Sequence, residues 1–468
     1  MSGALVVRDR NGTEYRLGRL LGEGGQGRVF EVEGQPRAVK LLSAPTRLQR
    51  DRLEGSIARI RRLPLDKLPL ARPQALLAPP HVGYVMELLT GLIPLGRLLH
   101  PPRGGEDFLA WYLESGGTAR RLRLLARLGE VLGELHGRGL GYGDLSPENV
   151  LVSASADHAE VWLIDCDNIH AGVSPRAYYT PGYAAPELFR GHLGADSLTD
   201  AWSFATLAFE ALTVLHPFDG DRVHDGDPEE EERAHRGELE WVDAEGGSNA
   251  ALSRGLPREL VLSRPLRKLA EDCFGASRLD RARRPGVSAW TEQLHSAADQ
   301  TLTCAGCRGS FMFNQRLCPW CDTPRPDFVL AEVRRVDPDA APRQDGATPT
   351  DGPQGLMGEP FTNDLGLVAR LAVQAGRPTR LEARHAAPGD GDGRRPLAEL
   401  QVEGSRLLIA ARPDAGLVLA TSSRARNLEG VVREVPEHEL SRAWLAPVSP
   451  SGVHRVVQFR LQPSGRRS

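Results

Sequence analysis

The sequence predicts an α+β chain of several domains, and three observations carry that prediction. Near the N-terminus, short apolar runs alternate with glycine-rich turns, as strands and hairpins do. Through the middle, apolar residues recur at helical spacing. Beyond a stretch rich in Pro, Gly, Asp and Ala, apolar and polar residues alternate again at the period of strands. A length of 468 residues leaves room for two to four domains. With 40% hydrophobic and 25% charged residues, the chain can bury sizeable cores. A net charge of -3 gives it no overall pull toward nucleic acid or an anionic membrane. Lys40, Lys67 and Lys268 are the only lysines among 58 basic residues, so a retained lysine is a candidate for a chemical role.

The opening residues, MSGALVVRDRNG, lack the basic start, apolar core and small-residue cleavage site of a signal peptide. No apolar run approaches the ~18 residues a bilayer span needs. The expected location is cytoplasmic, with no membrane partner. Six cysteines in 468 residues argue against a disulfide scaffold.

Taken in order, residues 15–42 read as strand, glycine turn, strand, short turn, strand. Residues 46–63 read as a helix with Leu48, Leu53, Ile57 and Ile60 near one face, and 83–89 as a short strand that meets Glu87. RRLRLLARLGEVLGELHGRG is an amphipathic helix closed by glycines, followed by a loop over Gly141–Asn149 and a hairpin. The segment 201–215 is apolar nearly all round, so it is expected in the middle of a large domain. Residues 326–360 are assigned to a linker, on the composition of 337–360, and 361–468 to a β-rich domain.

Gly22, Gly24 and Gly27 have the G-x-G-x-x-G spacing of a phosphate-cradling turn, in which backbone N–H groups approach an anion with no side chain between. In a dinucleotide fold such glycines open a helix. Here they join two strands. Lys40 ends the next strand, where an ammonium can grip phosphates if an anion holds it in place. Of Asp51, Glu54 and Asp66, the acids between Lys40 and Val85, Glu54 lies in the predicted helix at the right distance. The alternative for Glu54 is a solvated helix carboxylate.

Cys304, Cys307, Cys318 and Cys321 form C-x2-C, ten residues, C-x2-C. Two such turns complete a tetrahedron around one ion. Structural Zn²⁺ over 299–325 is the expectation; iron and disulfides are the alternatives. Phe311, Phe313 and Trp320 read as the core of this small module, with a base-stacking surface as the other reading. GDGDG at 389–393 is not a calcium loop of the helix–loop–helix kind, because the twelfth position from Asp390 is Gln401, not glutamate.

Over residues 12–298 the chain resembles a bacterial protein serine/threonine kinase of the eukaryotic type. The resemblance rests on motifs in the family's order: GEGGQG, AVK, VMELL, GDLSPENVL, DCD, YAAPE, DAWS, HPF and RARRP. It implies a bilobal fold, with an N-lobe over 12–89 and a C-lobe over 90–298, and ATP and Mg²⁺ as cofactors. By resemblance, Asp144 is the base on the acceptor hydroxyl, Lys40 grips the α- and β-phosphates, and Asn149 and Asp165 hold Mg²⁺. Leu21, Val29, Ala38 and Leu151 become adenine walls, with Met86 as gatekeeper and Glu87 and Leu88 as hinge. Glu187 would pair with Arg284, Asp200 would brace the catalytic loop, and Thr180 would flank Asp144.

Four departures stand out. Gly143 and Ser146 replace the two cations usual in the catalytic loop, and Cys166-Asp167 replaces Phe-Gly. Gly143 implies less dependence on phosphorylation of the following segment. Ser146 implies a rate lower on the order of 10²–10³, by analogy with loss of one preorganised donor. Asp167 is expected to face solvent, with a metal-facing carboxylate as the alternative. The narrower resemblance is to kinases encoded beside von Willebrand-type proteins and metal-dependent phosphatases, which implies such partners besides a protein substrate. A nucleotide-binding scaffold without transfer is the alternative function. A nucleic-acid binder is a third reading, which the acidic balance opposes.

Overall fold

The computed structural model describes residues 5–24, 27–102, 107–174, 179–191, 194–252, 254–337, 364–387, 392–421, 424–448 and 453–464. Most of the predicted linker, from 338 to 360, lies outside them, as do residues 25–26 of the glycine turn and 389–391 of GDGDG. Two compact units divide the chain, Met1–His295 and Ser296–Ser468.

The first unit begins with an antiparallel sheet of six strands: β1 (Val6–Arg8), β2 (Glu14–Gly24), β3 (Gly27–Val32), β4 (Arg37–Leu42), β5 (Ala75–Leu76) and β6 (Gly83–Glu87), in the order β1-β2-β3-β4-β6-β5. Its register sorts side chains onto two faces. Val29, Lys40 and Tyr84 lie in one row, and Ala38 and Met86 in the next. Val39 and Val85 point the other way, into a core with Val7, Tyr15, Leu17, Val32 and Leu77. Helix α1 (Arg47–Ile60) starts at a capping box, in which Gln49 N donates to Thr46 Oγ1 (3.2 Å) and Thr46 N donates to Gln49 Oε1 (3.1 Å). Of the predicted apolar face, Ile57 and Ile60 are buried but Leu48 is 59% exposed, because the stripe is covered only over the C-terminal turns.

The remainder of this unit is mostly helical. The helix Gly117–Gly137 packs on the helix Ser197–Thr213, whose residues from Thr199 onward are all buried. Gly129 permits a close approach: a Cβ there would lie 2.2 Å from Thr291 Oγ1 and 3.2 Å from Phe204. Arg284 donates to both oxygens of Glu187, at 2.7 and 3.0 Å, and its side chain is wholly buried. Removing one partner strands a buried charge. Arg284→Ala is therefore expected to lower unfolding free energy by about 3–5 kcal/mol, read from urea denaturation.

The second unit corrects the predicted linker. Residues Phe328–Val336, assigned to 326–360, form a strand paired on both sides, with Asp364–Gln374 and with His454–Gln462. The reason is composition. FVLAEVRRV is apolar at both parities over its first half, which a strand buried on both faces requires. Phe328 and Leu330 pack with the cysteine module around Leu302, Phe311 and Cys318, while Val329, Ala331 and Val333 face the larger core. That core lies between a six-stranded and a four-stranded antiparallel sheet, both of which contribute to it. Phe311 is fully buried, and Phe313 and Trp320 pack against the same cluster, in line with the core reading of these aromatics.

Candidate active site and metal centre

Four chain segments bring the predicted catalytic residues together. β4 presents Lys40, which is only 6% exposed and lies with Val29 and Tyr84 on one face of the sheet. The short pair of Leu140–Gly141 with His170–Ala171 clamps the loop before Asp144 to the segment after Asp165. The helix Ser197–Thr213 supplies Asp200 in its first turn. Asp200 accepts from Tyr142 N (2.7 Å) and Gly143 N (2.9 Å), and lies 3.0 Å from His136 Nε2. A carboxylate in the first turn of a helix is also favoured by the positive end of its dipole. Asp200 thus braces the loop as expected, and Tyr142 reinforces it by donating its buried hydroxyl to the Ile164 carbonyl.

Gly143 has a local cause. Its φ is +91°, and a Cβ would lie 3.2 Å from the Asn168 carbonyl oxygen, so a longer side chain here is strained. Ser146 is 3% exposed and places no charge in the loop. Asp144 accepts from Thr180 Oγ1 at 2.9 Å, and Asn149 Nδ2 donates to the Asp144 carbonyl at 2.9 Å, leaving Asn149 Oδ1 as its ligand atom. Burial pushes the Asp144 carboxyl above the usual aspartate value. The Thr180 hydroxyl pulls it back, and the Asp165 charge adds to the rise. With Asp144 as the base, which must be ionised to act, activity is expected to fall as pH drops through this raised pKa. The acid limb of kcat/KM is expected above the ~3.9 of a free aspartate, and Thr180→Val should move it further up; a pH–rate profile reads both.

The expected Lys40–Glu54 pair is not made. Lys40 Nζ lies 2.5 Å from Asp165 Oδ1 and 2.7 Å from Asp167 Oδ2. Glu54 is instead paired with Arg10 of the β1–β2 turn. That pair is half-exposed, and such pairs contribute ~1 kcal/mol or less, so exchanging it costs little. The expected solvent-facing Asp167 is also corrected, since Lys40 draws it inward. Burial disfavours the Lys40 ammonium, but the Asp167 and Asp165 charges outweigh it and hold its pKa above the ordinary lysine value. Asp165 itself sits at φ 54°, in the left-handed region.

The residues expected to face a nucleotide take definite places in the strand register. Gly22 lies opposite Val29, Gly24 opposite Gly27, and Ala38 opposite Met86; Glu87 ends β6 and Leu88 follows it. The three glycines differ. A Cβ on Gly27 would lie 2.1 Å from the Leu41 carbonyl oxygen, so strand pairing requires glycine there. A Cβ on Gly22 or Gly24 would meet nothing within 4 Å. Packing among the described residues does not demand glycine at these two positions, and their backbone stays open in the way the expected phosphate cradle needs. Leu21 is exposed, while Val29 and Leu151 are half-buried.

In the second unit Cys304, Cys307, Cys318 and Cys321 come together, with ligand sulfurs all within 4.8 Å of one another. Cys304 and Cys321 are 3.5 Å apart, Cys307 and Cys318 3.7 Å. A disulfide needs ~2.05 Å. A tetrahedron with ~2.3 Å zinc–sulfur bonds has edges of about 3.8 Å, so the donor set fits Zn²⁺. The two turns are built alike. Arg308 (φ 61°) and Asp322 (φ 57°) follow the second cysteine of each, and their N–H groups donate to Cys304 O (3.1 Å) and Cys318 O (2.9 Å).

Sequence reasoning missed His136 and Arg10, which carry no spacing signal, and the bracing role of Tyr142, which stands at the first position of the catalytic-loop pattern. It did quote the D-x-D that places Asp167 two residues from Asp165.

Residues 116–294 match the model of the protein kinase domain. The chain is 31% identical to ribosomal protein S6 kinase alpha-2 of Mus musculus over 224 residues, 44% of this chain and 28% of that one. It is 30% identical to serine/threonine-protein kinase PknE of Mycobacterium tuberculosis over 243 residues, 47% and 38% of the two. It is 29% identical to CBL-interacting protein kinase 4 of Oryza sativa subsp. japonica over 249 residues, 49% and 50% of the two. The chain therefore spans about a quarter to a half of these relatives' lengths. A protein kinase domain similar to serine/threonine kinases, a bacterial one among them, lies in the first unit. Such a domain implies ATP and Mg²⁺, and the four cysteines are compatible with zinc. The domain match starts at Gly116, so the glycine turn, Lys40 and Glu54 lie outside it. Among the described residues no helix is long and apolar enough to cross a membrane.

Proposed function

We propose that the chain is a protein serine/threonine kinase that transfers the γ-phosphate of ATP to a protein hydroxyl. The observation that carries this reading is the convergence of Lys40 and Asp165, 125 positions apart in sequence, to 2.5 Å, in the unit that also holds Asp144, Asn149 and Thr180. Bound Mg²⁺ supplies charge neutralisation on the β- and γ-phosphates. Asp165 and Asn149 Oδ1 would hold it. Lys40 grips the α- and β-phosphates, and Gly22 and Gly24 leave their backbone N–H groups open to them. Ala38, Val29, Met86, Leu151 and Leu21 flank adenine, with Glu87 and Leu88 offering backbone polar groups to its edge. Asp144 orients the acceptor hydroxyl and takes its proton, while Thr180 fixes the carboxylate.

Glu54 takes the place of Asp167 beside Lys40 only when α1 exchanges its Arg10 contact. Zn²⁺ held by the four cysteines would fold the start of the second unit, which serves to recruit partners. A metal-dependent phosphatase and a von Willebrand-type protein are the proposed ones, and the cytoplasm the proposed location. The alternative of a nucleotide-binding scaffold without transfer draws no support from the named relatives, all kinases. The deciding experiment is transfer of labelled phosphate from ATP to a protein acceptor, with Lys40→Met as control. Equal label from both proteins would overturn the reading.

A further inference from the structure

Lys40 is held by two carboxylates where the family pattern supplies one. Asp165 Oδ1 and Asp167 Oδ2 both lie within 2.7 Å of its ammonium. Glycine at 167 would leave a neutral Lys40–Asp165 pair; aspartate makes a trio with a formal charge of -1 at the place a polyanionic nucleotide must reach. Among the described residues Asp167 Oδ1 is buried without a close hydrogen-bond partner, with the buried Tyr84 hydroxyl nearby, so Lys40 engages only one oxygen of the side chain. Two carboxylates gathered on one cation make a site that already binds positive charge. Here that charge is an ammonium.

We propose that Asp167 is a positioning residue that couples nucleotide binding to a divalent cation. With no cation present, Asp167 and Asp165 together hold Lys40 away from the phosphates. When a metal–nucleotide complex enters, the two carboxylates turn to the divalent cation and Lys40 passes to the phosphates. The chain therefore discriminates against metal-free nucleoside triphosphate through charge as well as through lost coordination. This rests on the kinase reading of the site but adds a regulation that reading does not contain. Loss of one charge-assisted hydrogen bond is worth about tenfold or more in an equilibrium.

The test measures the dissociation constant of a fluorescent ATP analogue for the full chain, once with Mg²⁺ and once with EDTA. The native chain is expected to bind far more weakly in EDTA. Asp167→Asn keeps the shape and removes the charge, and Asp167→Gly restores the usual residue. Both are expected to tighten metal-free binding about tenfold and to shrink the ratio of the two constants. A second readout needs no nucleotide: acylation of Lys40 by an amine-reactive probe, followed by mass spectrometry, should rise in both variants. A ratio and a labelling rate unchanged from native in both variants would overturn the inference. If the native chain binds no nucleotide even with Mg²⁺, the kinase reading falls instead, and the labelling result still reports whether Asp167 holds Lys40.

Discussion

Asp165→Asn is expected to lower phosphate transfer to a protein acceptor by about 10³-fold or more while leaving the fold intact. Asparagine is chosen for a backbone reason. Asp165 has φ 54°, and asparagine is one of the few residues that tolerates the left-handed region, so the variant keeps the turn and loses only the charge. The effect should be large because Asp165 has two duties in the proposed mechanism: it ligates Mg²⁺, and it anchors Lys40 in the absence of nucleotide. Transfer of γ-labelled phosphate, with a thermal melt as fold control, measures it. An unaltered melt with unaltered transfer would remove Asp165 from the mechanism.

The second large effect concerns the cysteine cluster. The purified chain is expected to carry one zinc per molecule, and Cys318→Ser to lose it. Structural zinc contributes about 10–16 kcal/mol of folding free energy in small modules. The loss should not stay within the two cysteine turns, because Cys304 and Cys318 share a core with Phe328 and Leu330, whose strand also supplies Val329, Ala331 and Val333 to the core between the two sheets. Elemental analysis together with chelator-dependent protease cleavage between residues 296 and 464 reads this out. A zinc-free chain that resists protease as well as the loaded one would overturn it.

Much of the site was legible because its residues carry spacing. Lys40, Asp144, Asn149 and Asp165 sit in short motifs whose chemistry is local, and the structure draws them into one unit. Glu187–Arg284 and Asp200 were legible in the same way. What failed was pairing across elements. Nothing in the order of residues tells that Arg10, from a turn beside β1, reaches Glu54 and leaves Lys40 to Asp165 and Asp167. That is a competition between one pair with the exposed Arg10 and two part-buried carboxylates around a buried ammonium, decided by where α1 lies. The strand Phe328–Val336 was missed for another reason. It has no alternation to read, since both its faces are covered, and the Pro-, Gly-, Asp- and Ala-rich composition of 337–360 was extended back over it.

That strand also bears on how the polypeptide is made. Its two neighbours come from 364–374 and from 454–462, so the sheet closes only once residues 454–462 have left the ribosome. The first unit is complete by residue 295 and can fold while the rest is still being synthesised. A nascent chain stalled between residues 374 and 454 would bear a finished first unit and an open, apolar sheet edge in the second, the state in which chaperone capture and aggregation compete.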